Sequence, residues 1–420
     1  MTVNVTNTVG ANNTIVLDGS SKIPAFDGSL VTALNASAFS TGSLATARID
    51  VGTTAGKILQ LDGSARMPAL NATNLVNAPG PTVSTSDPAI DTNSTLGAKW
   101  INKTSGEVYI CTDATTDENV WTNVGAGTGD VQPYAYQGTQ YGYTHGGEYP
   151  NTTTDRNEID KFSFTSDANA TDVGDLTEVM DYGTGASSTT YGYATRKTTI
   201  CKYSFTTDGN ATDVGDLTNN ANSASGVSSQ THGYHSGGWD HTAVAVSNVK
   251  NKYSFTTDGN ATDAGDLSVT RLQTGGHTDT VYGYATCGAN GPTVYNVIDR
   301  FPFASDGNSV DVGDMTIAEH RMGGSSSTTH GYCTGGNGKD VIDKFAFGSS
   351  ATGSDVGNLP GGAINQMGLA GQSSTTHGYA TSVGALYSNQ ICKFSFTTDG
   401  NSTDVGDLTL GRSYVAGTHV

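Results

Sequence analysis

The chain has 420 residues, 55 of them glycine, and carries 39 acidic against 20 basic groups, a formal net charge of −19. That surplus argues against nucleic acid or an anionic membrane surface as a partner. The five cysteines (Cys111, Cys201, Cys287, Cys333, Cys392) show no CxxC or Cys/His spacing, so neither a disulfide framework nor a metal site is expected from them.

Residues 1–80 lack a globular pattern. Leu17-Asp18-Gly19-Ser20-Ser21-Lys22-Ile23-Pro24-Ala25 returns as Leu61-Asp62-Gly63-Ser64-Ala65-Arg66-Met67-Pro68-Ala69, 44 residues on. Asp-Gly and Pro interrupt every few residues, so each strand is too short to hold itself. One chain cannot bury these scattered Ile, Leu and Phe residues, whereas three intertwined chains can. Both motifs resemble the shaft repeats of bacteriophage tail fibres. The resemblance implies a homotrimeric fibrous segment that joins the chain to other tail proteins of a virion. The alternative is a disordered polar linker.

Pro79-Gly80-Pro81 opens a linker, placed at 81–87. Residues 88–125 read as a small β module. Lys99 to Asn102 and Glu107 to Thr112 form a hairpin, and Asn119 to Val124 adds a third strand over a Trp100/Trp121 core. The module resembles one common in phage fibre proteins. Gly125 to Gly129 reads as a hinge.

From residue 130 onward the chain repeats itself. Lys202-Tyr203-Ser204-Phe205-Thr206-Thr207-Asp208-Gly209-Asn210-Ala211-Thr212-Asp213-Val214-Gly215-Asp216-Leu217 returns almost letter for letter at Lys252 to Leu267. The marker glycines Gly174, Gly215, Gly265, Gly313, Gly357 and Gly406 are spaced by 41, 50, 48, 44 and 49 residues. From the last Phe of each Phe-x-Phe-like pair to the marker glycine the distance is always 10. Fixed spacing is what paired strands demand, because a one-residue slip turns every side chain to the wrong face. The segment after each Gly-Tyr pair varies in length and is therefore a surface loop. Each repeat reads as four strands, as in Arg321 to Ser326, Thr329 to Gly336, Val341 to Phe347 and Asp355 to Leu359.

Tyr143 with Gly146-Gly147, Tyr234 with Gly237-Gly238, Tyr332 with Gly335-Gly336, and Val341-Ile342-Asp343-Lys344-Phe345 resemble kelch repeats, whose period is about 50 residues. Arg196-Lys197 and Ser382-Val383 replace the double glycine in two copies, and the usual blade Trp is absent. The resemblance implies a six-bladed β-propeller over 130–420. Arg412 to Gly417 matches Arg271 to Gly276, a first strand with no blade after it. The C-terminal strand is therefore expected to complete blade one and remove the open sheet edge.

Few constellations carry chemistry. Asp208, Asn210, Thr212, the Val214 carbonyl and Asp216 follow the first five ligand positions of a calcium loop. Gly at position 6 and Glu at 12 are missing, so a polar Asx turn between strands three and four competes with calcium. His232, His330 and His377 alternate with Tyr141, Tyr191 and Tyr282 at one repeat position, which favours packing over metal or acid–base work. No nucleophile elbow, phosphate-cradling loop or arginine cluster occurs. The variable loops carry Tyr149, Trp239, His241, Tyr295 and Tyr387, rings suited to stacking on sugars or anchoring a protein contact, or to packing on neighbouring blades.

The chain is thus read as all-β: a fibrous attachment segment (1–80), a small β module (88–125), and a six-bladed kelch-like propeller (130–420). Its resemblances imply a virion tail fibre, made in the host cytoplasm and released by lysis, since the first residues lack the pattern of a secretory signal and no stretch could span a bilayer. It is expected to be a non-enzyme without cofactors that attaches to a host cell-surface glycan or protein. Three weak heads on one shaft give avidity, and the acidic surface calls for divalent ions or salt to screen an anionic envelope. The alternatives are a head- or baseplate-associated decorating fibre and a propeller enzyme degrading surface polysaccharide.

Overall fold

A computed structural model describes residues 80–124, 135–149, 156–348, 350–362 and 368–420. The fibrous reading of 1–80 and the hinge at 125–129 therefore lie outside the described residues, apart from Gly80. The protein is all-β, and no helix occurs among the described residues.

The small module is a four-stranded sheet in the order Thr82–Ser84, Lys99–Asn102, Val108–Asp113 and Val120–Asn123. Trp100 and Trp121 meet edge to face at 5.9 Å, over the buried Tyr109 and Cys111. The stretch read as a linker contributes the edge strand: the Ser84 carbonyl accepts the Lys103 N–H at 2.9 Å.

Among the described residues the repeats form six sheets of four or five strands, antiparallel except where Ala351–Thr352 runs parallel to Val310–Asp314, and a two-stranded sheet of Ala289–Asn290 and Thr293–Val294. The third illustrates the plan: Ser225–Ser228, His232–Ser236, Val249–Ser254 and Thr262–Asp266 run as a meander in sequence order. The first sheet departs from it. Its strands Tyr141–His145, Glu158–Ser163 and Thr171–Asp175 are joined by Ala416–His419, with Ala416 opposite His145 and Thr418 opposite Tyr143. The second departs too. Its middle strands are fused as Tyr191–Ser204, and the Phe205 N–H reaches back to the Thr190 carbonyl at 2.9 Å. The loop expected there is only a turn, with Lys197 left-handed at φ 54°.

The sequence markers now acquire causes. In Phe-x-Phe, the first ring covers the glycine of Gly-Tyr in its own sheet. A Cβ on Gly142 would lie 2.4 Å from Phe162, and one on Gly378 would lie 2.2 Å from Phe394. The second ring crosses to the preceding sheet. Phe205, Phe255, Phe303, Phe347 and Phe396 meet Tyr143, Tyr193, Tyr234, Tyr284 and Tyr332, and Phe164 meets Tyr379, with centroids 4.7–5.5 Å apart. The six tyrosines are buried, each worth roughly 1.5–3 kcal/mol over exposure, while of the crossing phenylalanines Phe205 is buried and the others are half-buried.

The first strands lie beside one another in the order Thr184–Ser187, Ser225–Ser228, Gly275–Thr278, Gly323–Ser326, Ala370–Ser373 and Ala416–His419. The last of these also packs against Thr184–Ser187. Gly185, Gly226, Gly276, Gly324, Gly371 and Gly417 stand where these strands meet. A Cβ on Gly226 would be 2.1 Å from the Gly185 carbonyl oxygen.

Candidate binding face

The turns that lead into the six first strands hold one residue each at a matching place: Tyr182, Ser223, Gln273, Arg321, Gly368 and Tyr414. All six are left-handed, with φ of 53°, 59°, 58°, 69°, 63° and 56°. Left-handed backbone is uncommon for residues other than glycine and costs on the order of 1 kcal/mol or more for each. It persists here because it hands each turn to its neighbour. The Tyr182 N–H donates to the Tyr414 carbonyl at 3.1 Å, Ser223 to Tyr182 at 2.8 Å, Gln273 to Ser223 at 2.5 Å and Arg321 to Gln273 at 3.0 Å. Leu369 donates to the Arg321 carbonyl at 3.4 Å and Val415 to that of Gly368 at 3.1 Å, which completes the circuit.

This turn ring encloses a cavity of about 70 Å³. Tyr182 and Tyr414 stack at 3.9 Å, and the Arg321 guanidinium lies 5.6 Å above the Tyr414 ring. Arg321 donates from Nε to Gln273 Oε1 at 3.2 Å and from Nη1 to Asn337 Oδ1 at 3.3 Å. Burial pushes the Tyr182 hydroxyl's pKa up, and its hydrogen bond with Tyr414 adds to the shift, so it remains protonated. Thr274, 6% exposed, lines the same cavity, and its hydroxyl has no hydrogen-bond partner.

The other end of the same strands is narrowed by Tyr136 and Gln137 around a cavity of about 60 Å³. Tyr136 donates its hydroxyl to the Ser327 carbonyl at 2.6 Å, and the Gln137 amide bonds the Ser326 and Ser374 carbonyls. His419 Nε2 meets the Tyr136 carbonyl oxygen at 2.7 Å.

The five loop residues named from the sequence border the turn ring by backbone contacts. Glu148, next to Tyr149, exchanges backbone hydrogen bonds with Ser413, next to Tyr414. The Tyr387 N–H donates to Ser413 Oγ at 3.1 Å. Trp239 pairs with Asn222, next to Ser223, and the His241 N–H reaches the Asn220 carbonyl. The Tyr295 carbonyl accepts from Glu319, two residues before Arg321. Tyr149, Trp239, Tyr295 and Tyr387 are half-buried, with Arg156 4.8 Å above the Tyr149 ring, while His241 is exposed. Sequence reasoning missed the turn ring itself. Its signal was a fixed offset of eight from the marker glycine in five repeats (Gly174 to Tyr182, Gly406 to Tyr414) with a changing side chain.

Two of the calcium-loop side chains are engaged in docking through oxygen: Lys161 Nζ holds Asp208 at 2.6 Å and Asn210 Oδ1 accepts the Asp175 N–H at 3.1 Å, while Asp216 docks through its backbone, its N–H donating to Asn260 Oδ1. The pattern recurs as Lys202–Asp258, Lys252–Asp306, Lys344–Asp399 and Lys393–Asp167. No group of three His, Cys, Asp or Glu side chains is placed to hold a metal among the described residues. His232, His330 and His377 each set Nδ1 2.8 Å from a neighbouring threonine hydroxyl, and burial lowers their pKa. All five cysteines are buried and free.

No family model matches the chain, and no curated protein matches it. Among solved structures it is similar to one titled "Structure of YjhT", at 12% identity and a TM-score of 0.48, over 56% of this chain and 86% of that one. A likeness so loose carries no argument about activity.

Proposed function

We propose that the six sheets are blades of a closed six-bladed kelch-like propeller, with the C-terminal strand in blade one. On this reading the chain is a bacteriophage tail fibre whose propeller head attaches the particle to a host cell-surface glycan or protein. The observation that carries the reading is the turn ring: one backbone shape, copied six times, presents different side chains at an open end. At the opposite end of the first strands Tyr136 and Gln137 bond to the repeats beside a cavity of about 60 Å³, which supports leaving the turn-ring end for recognition. Among the described residues the turn-ring cavity lining includes no acid–base pair, which supports binding over catalysis there.

The shaft-like pattern of residues 1–80 supports trimeric attachment to other tail proteins. Gold-labelled antibody against the chain, imaged on particles, is expected to mark fibres at the tail. Label on the head shell, or on no particle, overturns the tail-fibre reading. Release of reducing ends from host surface polysaccharide by the purified protein would replace the binder with an enzyme.

A further inference from the structure

We infer that the turn-ring cavity binds an oxyanion carried on a sugar, a carboxylate or a phosphate, with Arg321 as its counter-charge. The inference rests on the proposed recognition role of this face and names the chemical class it takes.

Arg321 is the one charged side chain lining the cavity among the described residues. It forms none of the ion pairs that occupy Lys161, Lys202, Lys252, Lys344 and Lys393. Its guanidinium bonds two neutral amide oxygens, leaving further N–H groups for a ligand. A guanidinium presented this way suits a carboxylate or phosphate, which it can bind through two oxygens.

Thr274 also lines the cavity; its hydroxyl has no partner among the described residues but carries almost no accessible surface, so a ligand oxygen would reach it only after a small shift of the wall. Ser223 and Tyr182 line it too, the Tyr182 hydroxyl being engaged with Tyr414. Glu319 lies close enough for Arg321 to lower its pKa, although burial raises that pKa by more. Its Oε1 already accepts the His320 and Asn337 N–H groups. The cavity of about 70 Å³ has the room of a few waters, enough for an anionic group and the ring edge bearing it, too little to enclose a disaccharide. The rest of the saccharide would lie outward, along the loops that carry Tyr387 and Trp239.

The test uses the full chain and three probes in calorimetric or NMR titrations: glucuronate, glucose 6-phosphate and glucose. At least one anionic probe is expected to bind about tenfold or more tighter than glucose, and to lose about that factor in Arg321→Gln. The same turn already carries glutamine at Gln273, so this variant is expected to fold, which circular dichroism checks. Equal binding of glucose and the anions, unchanged affinity in Arg321→Gln, or no binding of any probe each overturns the inference. If no probe binds while labelled protein still decorates host cells, the cavity assignment falls and the attachment role stands. If the anions bind but the chain is absent from tails, the tail-fibre reading falls and the cavity assignment stands.

Discussion

Two regions of the repeat array treat the same repetition in opposite ways. Where sheets dock, the copies are nearly verbatim: Lys against Asp, Asn against a backbone amide, Phe over Tyr. In the turn ring only the backbone is copied, and Tyr, Ser, Gln, Arg, Gly and Tyr occupy the six places. A docking residue is read by the next sheet, so changing it breaks a contact on each of two copies. In the turn ring the joint repeated between neighbours is made by backbone N–H and carbonyl groups, while side-chain contacts such as Tyr182 on Tyr414 and Arg321 with Gln273 each occur once. Constancy therefore marks what the repeats say to each other, and variety marks a surface free to meet something else.

The sharpest strain on this contrast comes from acid. His145 and His235 are exceptions inside the copied interior. Burial pushes both from 6.5 to about 3, with Arg412 assisting at His145. Below pH 6.5 the unfolded chain takes up protons that the folded one refuses. Stability is therefore full above about 6.5 and falls as pH drops toward about 3, by roughly 1.4 kcal/mol per pH unit for each histidine. Urea midpoints between pH 7 and pH 4.5 measure it, and His235→Ala, the residue found at Ala194 and Ala285, should flatten the slope.

Breaking the buried pair between Arg412 and Asp160, at 2.9 Å with both side chains 0% exposed, comes next. Arg412→Met should cost about 3–5 kcal/mol in denaturant unfolding by stranding a buried carboxylate. Adding Asp160→Cys recreates the Met180/Cys201 combination of the second sheet and should recover most of the loss. Gly226→Ala, whose Cβ would meet the Gly185 carbonyl oxygen at 2.1 Å, should cost about 1–3 kcal/mol. Lys202→Ala removes an ion pair whose Asp258 side chain is 53% exposed, so it should cost only about 0.2–1 kcal/mol, less at high salt. Smallest of all, Ser223→Asn in the turn ring, asparagine being a residue that tolerates the left-handed backbone there, should shift stability by no more than about 0.5 kcal/mol. A large loss there would erase the distinction between the two regions.

Much of the all-β character was legible because strand pairing leaves an invariant: ten residues from Phe to marker glycine, whatever happens in the loop. The Trp100/Trp121 core of the small module was legible for a similar reason, since hairpin spacing fixes which residues face each other. The calcium-like loop was ambiguous in the sequence because acidic turn residues obey one spacing whether they hold an ion or a lysine from the adjacent sheet. The loop rings were placed close to the face, yet the turn ring escaped notice. Left-handed backbone at Tyr182 or Arg321 has no signature when the residue is not glycine, and a cyclic circuit of hydrogen bonds joins positions spread over more than 200 residues, from Tyr182 to Tyr414. Nor does local pattern disclose that Thr82–Ser84 pairs at all, a three-residue strand being below what alternation can register.

The pairing of Ala416–His419 with Tyr141–His145 also sets an order of events at the ribosome. The sheet begun by residue 141 cannot be finished until residue 419 has emerged, so the nascent chain must carry five assembled repeats with one ladder of backbone groups still unmatched. Such long-range completion slows folding and leaves an edge exposed to sister chains being made nearby. On the trimeric reading proposed above, that waiting edge is also the place at which one head could mistakenly take its last strand from a neighbour.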